Sequence, residues 1–226
     1  MIDWMLSVQN DIARLPSLVW QQGWLCAGWS VVIAWLGAWF VGRWTTRKDA
    51  KVAIATCGAV WVGLPGSLGG AYWLGMAFQA PSVTTVLLCA LLWLRVVLWP
   101  AQPDSLRKAW PPQLLVLALC GAVLGWALLL DTLGVFSGSL YHWGFGAAAP
   151  GIALSVVALP WVIGKKALPG RCIAWLAIAI LCFVVLRLPT GNLFDALLDP
   201  WLWFYLQFAL IQQWTKKNLH SLHRTG

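Results

Sequence analysis

Apolar stretches of bilayer-crossing length recur along this chain, and the connections between them carry lysine and arginine almost wholly on one side. A span needs about 20 apolar residues, because the hydrocarbon layer must be crossed with every backbone group bonded inside the segment. The first such stretch runs from about Trp24 to Gly42 and stops at Arg43, Arg47, Lys48 and Lys51. The second, Val52 to Phe78, is too long for one straight span and holds Pro65 among Gly63, Gly66, Gly69 and Gly70. Proline removes a helix hydrogen bond, so a helix kinked at Gly/Pro is predicted here, with a partly unwound or re-entrant segment as the variant.

A turn at Gln79, Ala80 and Pro81 precedes a third stretch, about Ser82 to Trp99, which ends before the polar run holding Asp104, Arg107 and Lys108. The fourth covers about Gln113 to Leu130. After an uncharged loop, Thr132 to Gly146, the fifth runs from about Ala147 to Gly164, is broken by Pro150 and Pro160, and is closed by Lys165 and Lys166. The sixth, about Cys172 to Leu188, follows Arg171 and carries Arg187 near its far end. The last opens at Asp199-Pro200, an acid placed to accept orphan N–H groups followed by the residue best suited to the first helical position, and continues to about Trp214.

The expected fold is therefore an all-α polytopic transmembrane bundle of about seven spans, a single integral membrane domain over residues 1–226. Composition agrees: 61% of the 226 residues are apolar and 10% charged, against about 25% charged in a soluble domain. Ile2 to Trp20 and Leu193 to Leu198 mix apolar with polar side chains and suit short helices on the outer surface, so residues 1–23 are expected as an outer interfacial segment. Asp3 and Asp11, with no basic region before an apolar run, argue against a cleaved signal peptide.

Twelve of the fifteen basic residues fall after spans one, three and five or in the C-terminal tail, residues 215–226. That is the positive-inside pattern, so the N-terminus is expected outside and the C-terminus in the cytoplasm of a bacterial inner membrane. The net charge of +8 then reflects orientation and attraction to anionic lipid, with no nucleic-acid partner implied. Arg43, Arg47, Lys48, Lys51, Lys165, Lys166, Lys216 and Lys217 are the expected head-group contacts. Arg95, five residues before Pro100, reaches the same surface by extending its side chain along the helix.

Nineteen tryptophans suit a membrane-interface belt, or an aromatic-lined pocket for a lipid or hydrophobic cofactor. Cys26, Cys57, Cys89, Cys120, Cys172 and Cys182 form no C-x-x-C pair and read as small apolar residues. Gly63, Pro65, Gly66, Gly69 and Gly70, and the G-x-x-x-G pair Gly121 and Gly125, are candidate close-packing positions. Ser67 lacks the G-x-S-G frame of an intramembrane serine hydrolase. His220 and His223 stand three apart in the tail without an acid or cysteine, so no metal or other cofactor is expected.

The chemistry worth locating is a set predicted on the outer side: Asp131, Tyr141, His142, Arg187, Asn192, Asp195 and Asp199. Acid, imidazole and guanidinium groups gathered at one face can bind a cation, relay protons or act on a lipid head group. Each also has an ordinary structural role open to it, and no residue is assigned a catalytic part. Three functions remain: a non-enzymatic accessory, scaffold or assembly subunit of a larger membrane complex, with partners on Trp- and Gly-rich helix faces; a small transporter or solute-binding component with a midplane site at broken spans two and five; and a lipid-modifying enzyme using the outer polar set.

Overall fold

The computed structural model describes residues 15–98, 112–136, 138–162 and 170–222. Expectations resting on residues 1–14, on Asp104, Arg107 and Lys108, on Lys165 and Lys166, and on His223 lie outside the described residues. The regular structure is helical throughout the described residues. The helices are α1 (Leu18–Val41), α2 (Lys48–Gly63), α3 (Gly70–Phe78), α4 (Val83–Leu98), α5 (Pro112–Thr132), α6 (Leu140–Trp143), α7 (Ala149–Val162), α8 (Gly170–Leu186), α9 (Leu193–Leu197) and α10 (Pro200–Leu222). Two of them, α1 and α5, are long and apolar enough to cross a membrane by length and composition.

The second apolar run is not one kinked helix. Helix α2 ends at Gly63 because Leu64 precedes a proline, whose ring disfavours helical geometry in the residue before it, and Leu64 is extended at φ −62°, ψ 144°. Gly66 takes φ +64°, a short 3₁₀ turn covers Gly66–Leu68, and α3 starts afresh at Gly70. The prolines of the fifth run also act differently from expectation. Pro150 lies in the first turn of α7, where a missing N–H costs no bond, and the helix continues through Pro160 to Val162.

Reciprocal glycine notches pair α1 with α2. Ile33 of α1 fits against Gly58 of α2, and Ile54 of α2 fits against Gly37 of α1, so each helix offers the notch that receives the other's branched side chain. The order of these contacts makes the two helices antiparallel. Helix α4 runs beside α1 in the same direction, with Val86 near Gly28 and Trp93 against Ala34 and Ala38. Its other side meets α8 and α9 in a cluster of Val83, Ala179, Phe183, Leu193 and Ala196.

Helices α5 and α10 form a second antiparallel seam. Gly121 receives Leu206 and Gly125 receives the Trp203 indole. The seam is fastened by polar bonds from indoles: Trp203 Nε1 donates to the Ala122 carbonyl at 3.1 Å and Trp126 Nε1 to Gln207 Oε1 at 3.2 Å. The G-x-x-x-G pair is thus filled from within the chain. Of the other proposed packing glycines, Gly70 lies against the Trp61 ring and Gly69 against the Leu64 backbone, whereas Gly63 and Gly66 face open space and pack on nothing. A leucine at Gly125 would have to displace the Trp203 ring, so Gly125→Leu is expected to lower stability by about 2 kcal/mol, while Gly63→Ala leaves it unchanged or slightly raised. Thermal unfolding of the purified chain in mild detergent measures both.

Candidate functional site

The connection between α3 and α4, that between α5 and α7, and that between α8 and α10 meet at one end of the bundle, away from the α1–α2 turn. Asp199 ties two of them together. As N-cap of α10 it accepts the Leu202 N–H on Oδ1 at 2.7 Å, and its Oδ2 accepts the Ser82 N–H at 2.9 Å. Ser82 in turn opens α4, its hydroxyl accepting the Thr85 N–H at 3.1 Å. Both residues are buried, Ser82 completely. One carboxylate therefore lies at the positive ends of two helix dipoles, which stabilise its charge where water does not reach. Thr84 adds a bond from its hydroxyl to the Ala196 carbonyl at 3.3 Å, and Trp24 Nε1 of α1 reaches the Pro81 carbonyl at 2.9 Å.

A second group joins α5, α6 and α9. Asp131, at the end of α5, accepts the Leu140 N–H at 3.0 Å and the Tyr141 N–H at 2.7 Å, one on each oxygen. The Tyr141 hydroxyl donates to Asp195 Oδ2 at 2.6 Å, and the Thr190 hydroxyl donates to the same oxygen at 2.5 Å. Asn192 is fully buried and uses both ends of its amide: Nδ2 donates to the Tyr141 carbonyl at 2.8 Å, while Oδ1 caps α9 through the Phe194 N–H at 2.8 Å. The Leu193 N–H donates to the Gly144 carbonyl at 3.0 Å, and a side chain at Gly144 would overlap Asn192. Glycine is required there because the Asn192 amide and the Phe194 ring occupy the space a side chain would take.

Asp131, Tyr141, Asn192 and Asp195 are thus brought together, and Asp199 sits in its own bonded unit. His142 and Arg187 are not joined to them. His142 is exposed and contributes its backbone N–H to Ser139 Oγ at 3.3 Å. Arg187 has φ +54° and holds its guanidinium 5.3 Å above the Phe183 ring. Ser82, Ser139, Thr190 and Gly144 complete the site although the sequence reading passed over them. Ser82 had a signal, since a serine directly before an apolar helical run reads as an N-cap; Thr190 and Gly144 had none, because their partners are remote in sequence.

Asp131 and Asp199 have both oxygens engaged by donors of the chain itself and Asp195 has one, and no buried side-chain nitrogen or oxygen lacks a partner among the described residues. The described residues contain no group of three or more His, Cys, Asp or Glu able to hold a metal ion. What the arrangement does chemically is fix three connections to one another.

The basic residues gather at the other end. Arg43 follows α1, Arg47 and Lys48 begin α2, Lys51 lies in its first turn, and Arg95 is in the last turn of α4. For Lys216 and Lys217 only the helical backbone of α10 is described.

Burial, followed by the hydrogen bond to Asp195, pushes the Tyr141 phenol above its ordinary value of 10.0. The unfolded chain loses this proton near pH 10 and the folded chain keeps it, so stability is full below that pH and falls as pH rises beyond it. Tyr141→Phe is expected to abolish that fall and to cost about 1 kcal/mol at neutral pH, read from unfolding midpoints between pH 7 and 11. Asp199→Ala removes a cap and leaves the buried Ser82 N–H without an acceptor; a loss of about 2 to 3 kcal/mol is expected in the same assay.

Compared with protein-family models, curated proteins and solved structures, the chain matches none.

Proposed function

We propose that this chain is a multi-pass inner-membrane protein of about seven spans, N-terminus outside, acting as a non-enzymatic accessory, scaffold or assembly subunit of a larger membrane complex. The observation that carries this reading is the contrast between the two kinds of surface. The acids and amides of the polar end are taken up in the chain's own hydrogen bonds, whereas the flanks present large apolar side chains, among them Trp126, Phe204, Tyr205, Phe208, Ile211 and Trp214. Only 28% of the most apolar window of α1 and 17% of that of α5 is buried, the reverse of what a core helix of a water-soluble protein requires. Lipid tails or partner helices cover such flanks.

Alternation supports the topology. The bonded polar connections lie at one end and Arg43, Arg47, Lys48, Lys51 and Arg95 at the other, the arrangement expected of an outer and a cytoplasmic face. Helices α4, α7 and α8, at 16, 14 and 17 residues, are shorter than an average span; local thinning of the bilayer and flanking basic side chains accommodate the difference. A transport site at broken helices has less support. The α2–α3 interruption faces outward over residues 63–68, and α7 is continuous through both prolines. A lipid-modifying site has less again, since Asp195 and Tyr141 engage each other and His142 stands apart.

Single-cysteine reporters at His142 and Trp44, in a chain cleared of its six native cysteines, test the orientation. In intact cells a membrane-impermeant thiol reagent is expected to label the first and to reach the second only after permeabilisation; labelling of both, or the opposite order, overturns the topology. Purification in mild detergent is expected to bring stoichiometric membrane partners with the chain. A lone chain stabilised by a small solute would instead favour transport.

A further inference from the structure

The α1–α2 turn is built differently from the polar end, although it concentrates more charge. Arg43, Arg47, Lys48 and Lys51 stand within nine residues that hold one acid, Asp49. The other acids of the described residues, Asp131, Asp195 and Asp199, are bonded at the polar end of the bundle. Two of the four cations are held in place. The Arg43 guanidinium sits 4.1 Å above the Trp39 ring, and that ring stacks on Trp35 with centroids 6.4 Å apart and planes at 30°. Trp35, Trp39 and Arg43 follow one another at four-residue spacing, so a ladder along one face of α1 fixes the guanidinium at its end. Lys51, in the first turn of α2, is half-buried, and its Cε packs close to Gly42 at the end of α1. Trp44, in the turn itself, is 81% exposed.

A guanidinium stacked on an indole keeps its planar donor fork free on the outer edge, and the Lys51 ammonium, from the first turn of α2, adds a compact charge at the same turn. That pair matches a phosphodiester. An exposed indole next to it matches the glycerol and upper-chain region of a lipid, where a ring with an apolar body and a polar N–H is stable. A zwitterionic head group would bring its own ammonium among four cations with only Asp49 to receive it; an anionic one meets no such repulsion. On the reading that this end faces the cytoplasmic leaflet, we propose that the α1–α2 turn is a binding site for the phosphodiester of an anionic phospholipid. Arg43 and Lys51 contact the phosphate, Trp39 positions Arg43, and Trp44 anchors the lipid's upper chains.

The test uses the full chain in neutral mild detergent, with its melting temperature followed as lipid is titrated in. Phosphatidylglycerol or diphosphatidylglycerol is expected to raise the melting temperature saturably, phosphatidylcholine and inorganic phosphate at equal concentration to leave it unchanged. Arg43→Gln with Lys51→Gln is expected to weaken the apparent affinity about tenfold or more, and Trp39→Leu to weaken it with every charge in place. Arg187→Gln, at the opposite end, serves as the charge control and is expected to have no effect. Equal stabilisation by phosphatidylcholine, or by inorganic phosphate, overturns the proposal, as does undiminished affinity in the double variant. Selectivity among lipids is read on the unaltered chain, so a variant that folds poorly does not remove the test. Failure of the topology is separately visible: Trp44 labelled from outside intact cells removes the leaflet assignment, whereas loss of head-group preference in a correctly oriented chain removes the site alone.

Discussion

Asp199 holds a position that few acids occupy, buried at the starts of two helices and bonded to both, and it ties together the connections around it. Its two oxygens face the first turns of α10 and α4, one through Leu202 and one through Ser82. Backbone N–H groups at a helix start have no partner inside the helix, and together with the aligned peptide dipoles they make a site where a carboxylate replaces water without penalty. The consequence reaches beyond two bonds. Where α4 and α10 share an origin, α9, which leads directly into Asp199, packs on Val83, and Phe78 at the end of α3 comes edge-on to Trp201 with ring centroids 4.8 Å apart.

Within the apolar body, where no such charge is available, shape does the corresponding work. A pair of helices surrounded by apolar surroundings gains little from hydrophobic burial against each other, so close approach and buried polar bonds decide which faces meet. The α1–α2 pair uses Ile33 and Ile54 set into Gly58 and Gly37. The α5–α10 pair uses Leu206 and Trp203 set into Gly121 and Gly125, with the Trp203 and Trp126 N–H groups bonding across. Trp203 therefore does two things at once: its large ring fills a glycine notch and its N–H carries a donor to the neighbouring helix.

Much of this was legible in the sequence, for reasons that separate cleanly. The longer helices were, because each rests on a local signal: apolar runs bounded by proline, glycine and charge, with Asp199-Pro200 marking the start of α10, whereas α6 falls within a stretch expected as loop and α3 within a run expected as one helix. The filling of Gly121 and Gly125 was half legible, since spacing shows a notch and not its occupant. The notches at Gly37 and Gly58 were missed, although each follows an isoleucine by four residues, because a motif on one helix has meaning only beside its partner. The kink expected in the second run failed on a local point. Pro65 with Gly66 beside it does more than bend a helix: the residue before it is driven extended and the residue at Gly66 turns left-handed, so the chain must begin a new helix. Of the polar set, proximity at one end followed from alternation, while the bonding of Tyr141 to Asp195 across 54 residues did not, because side-chain pairing across connections has no sequence signature.

The two ends of the bundle thus solve opposite problems. At the polar end three connections must be fixed although none contains a long helix, and paired donors and acceptors achieve it: Asp131 on the α6 backbone, Asn192 between α6 and α9, Asp199 between α4 and α10. At the α1–α2 turn the chain is held by its own backbone bonds and by the glycine-notched seam, and it carries four cations with one acid in the same nine residues, Arg43 among them stacked on an aromatic ladder. Bracing lowers the conformational entropy that an arginine must give up on meeting an anion, a provision without purpose at a surface that meets only water. The asymmetry between a closed end and an open one is therefore a feature of how the sequence distributes its few polar residues, and it gives the fold a direction.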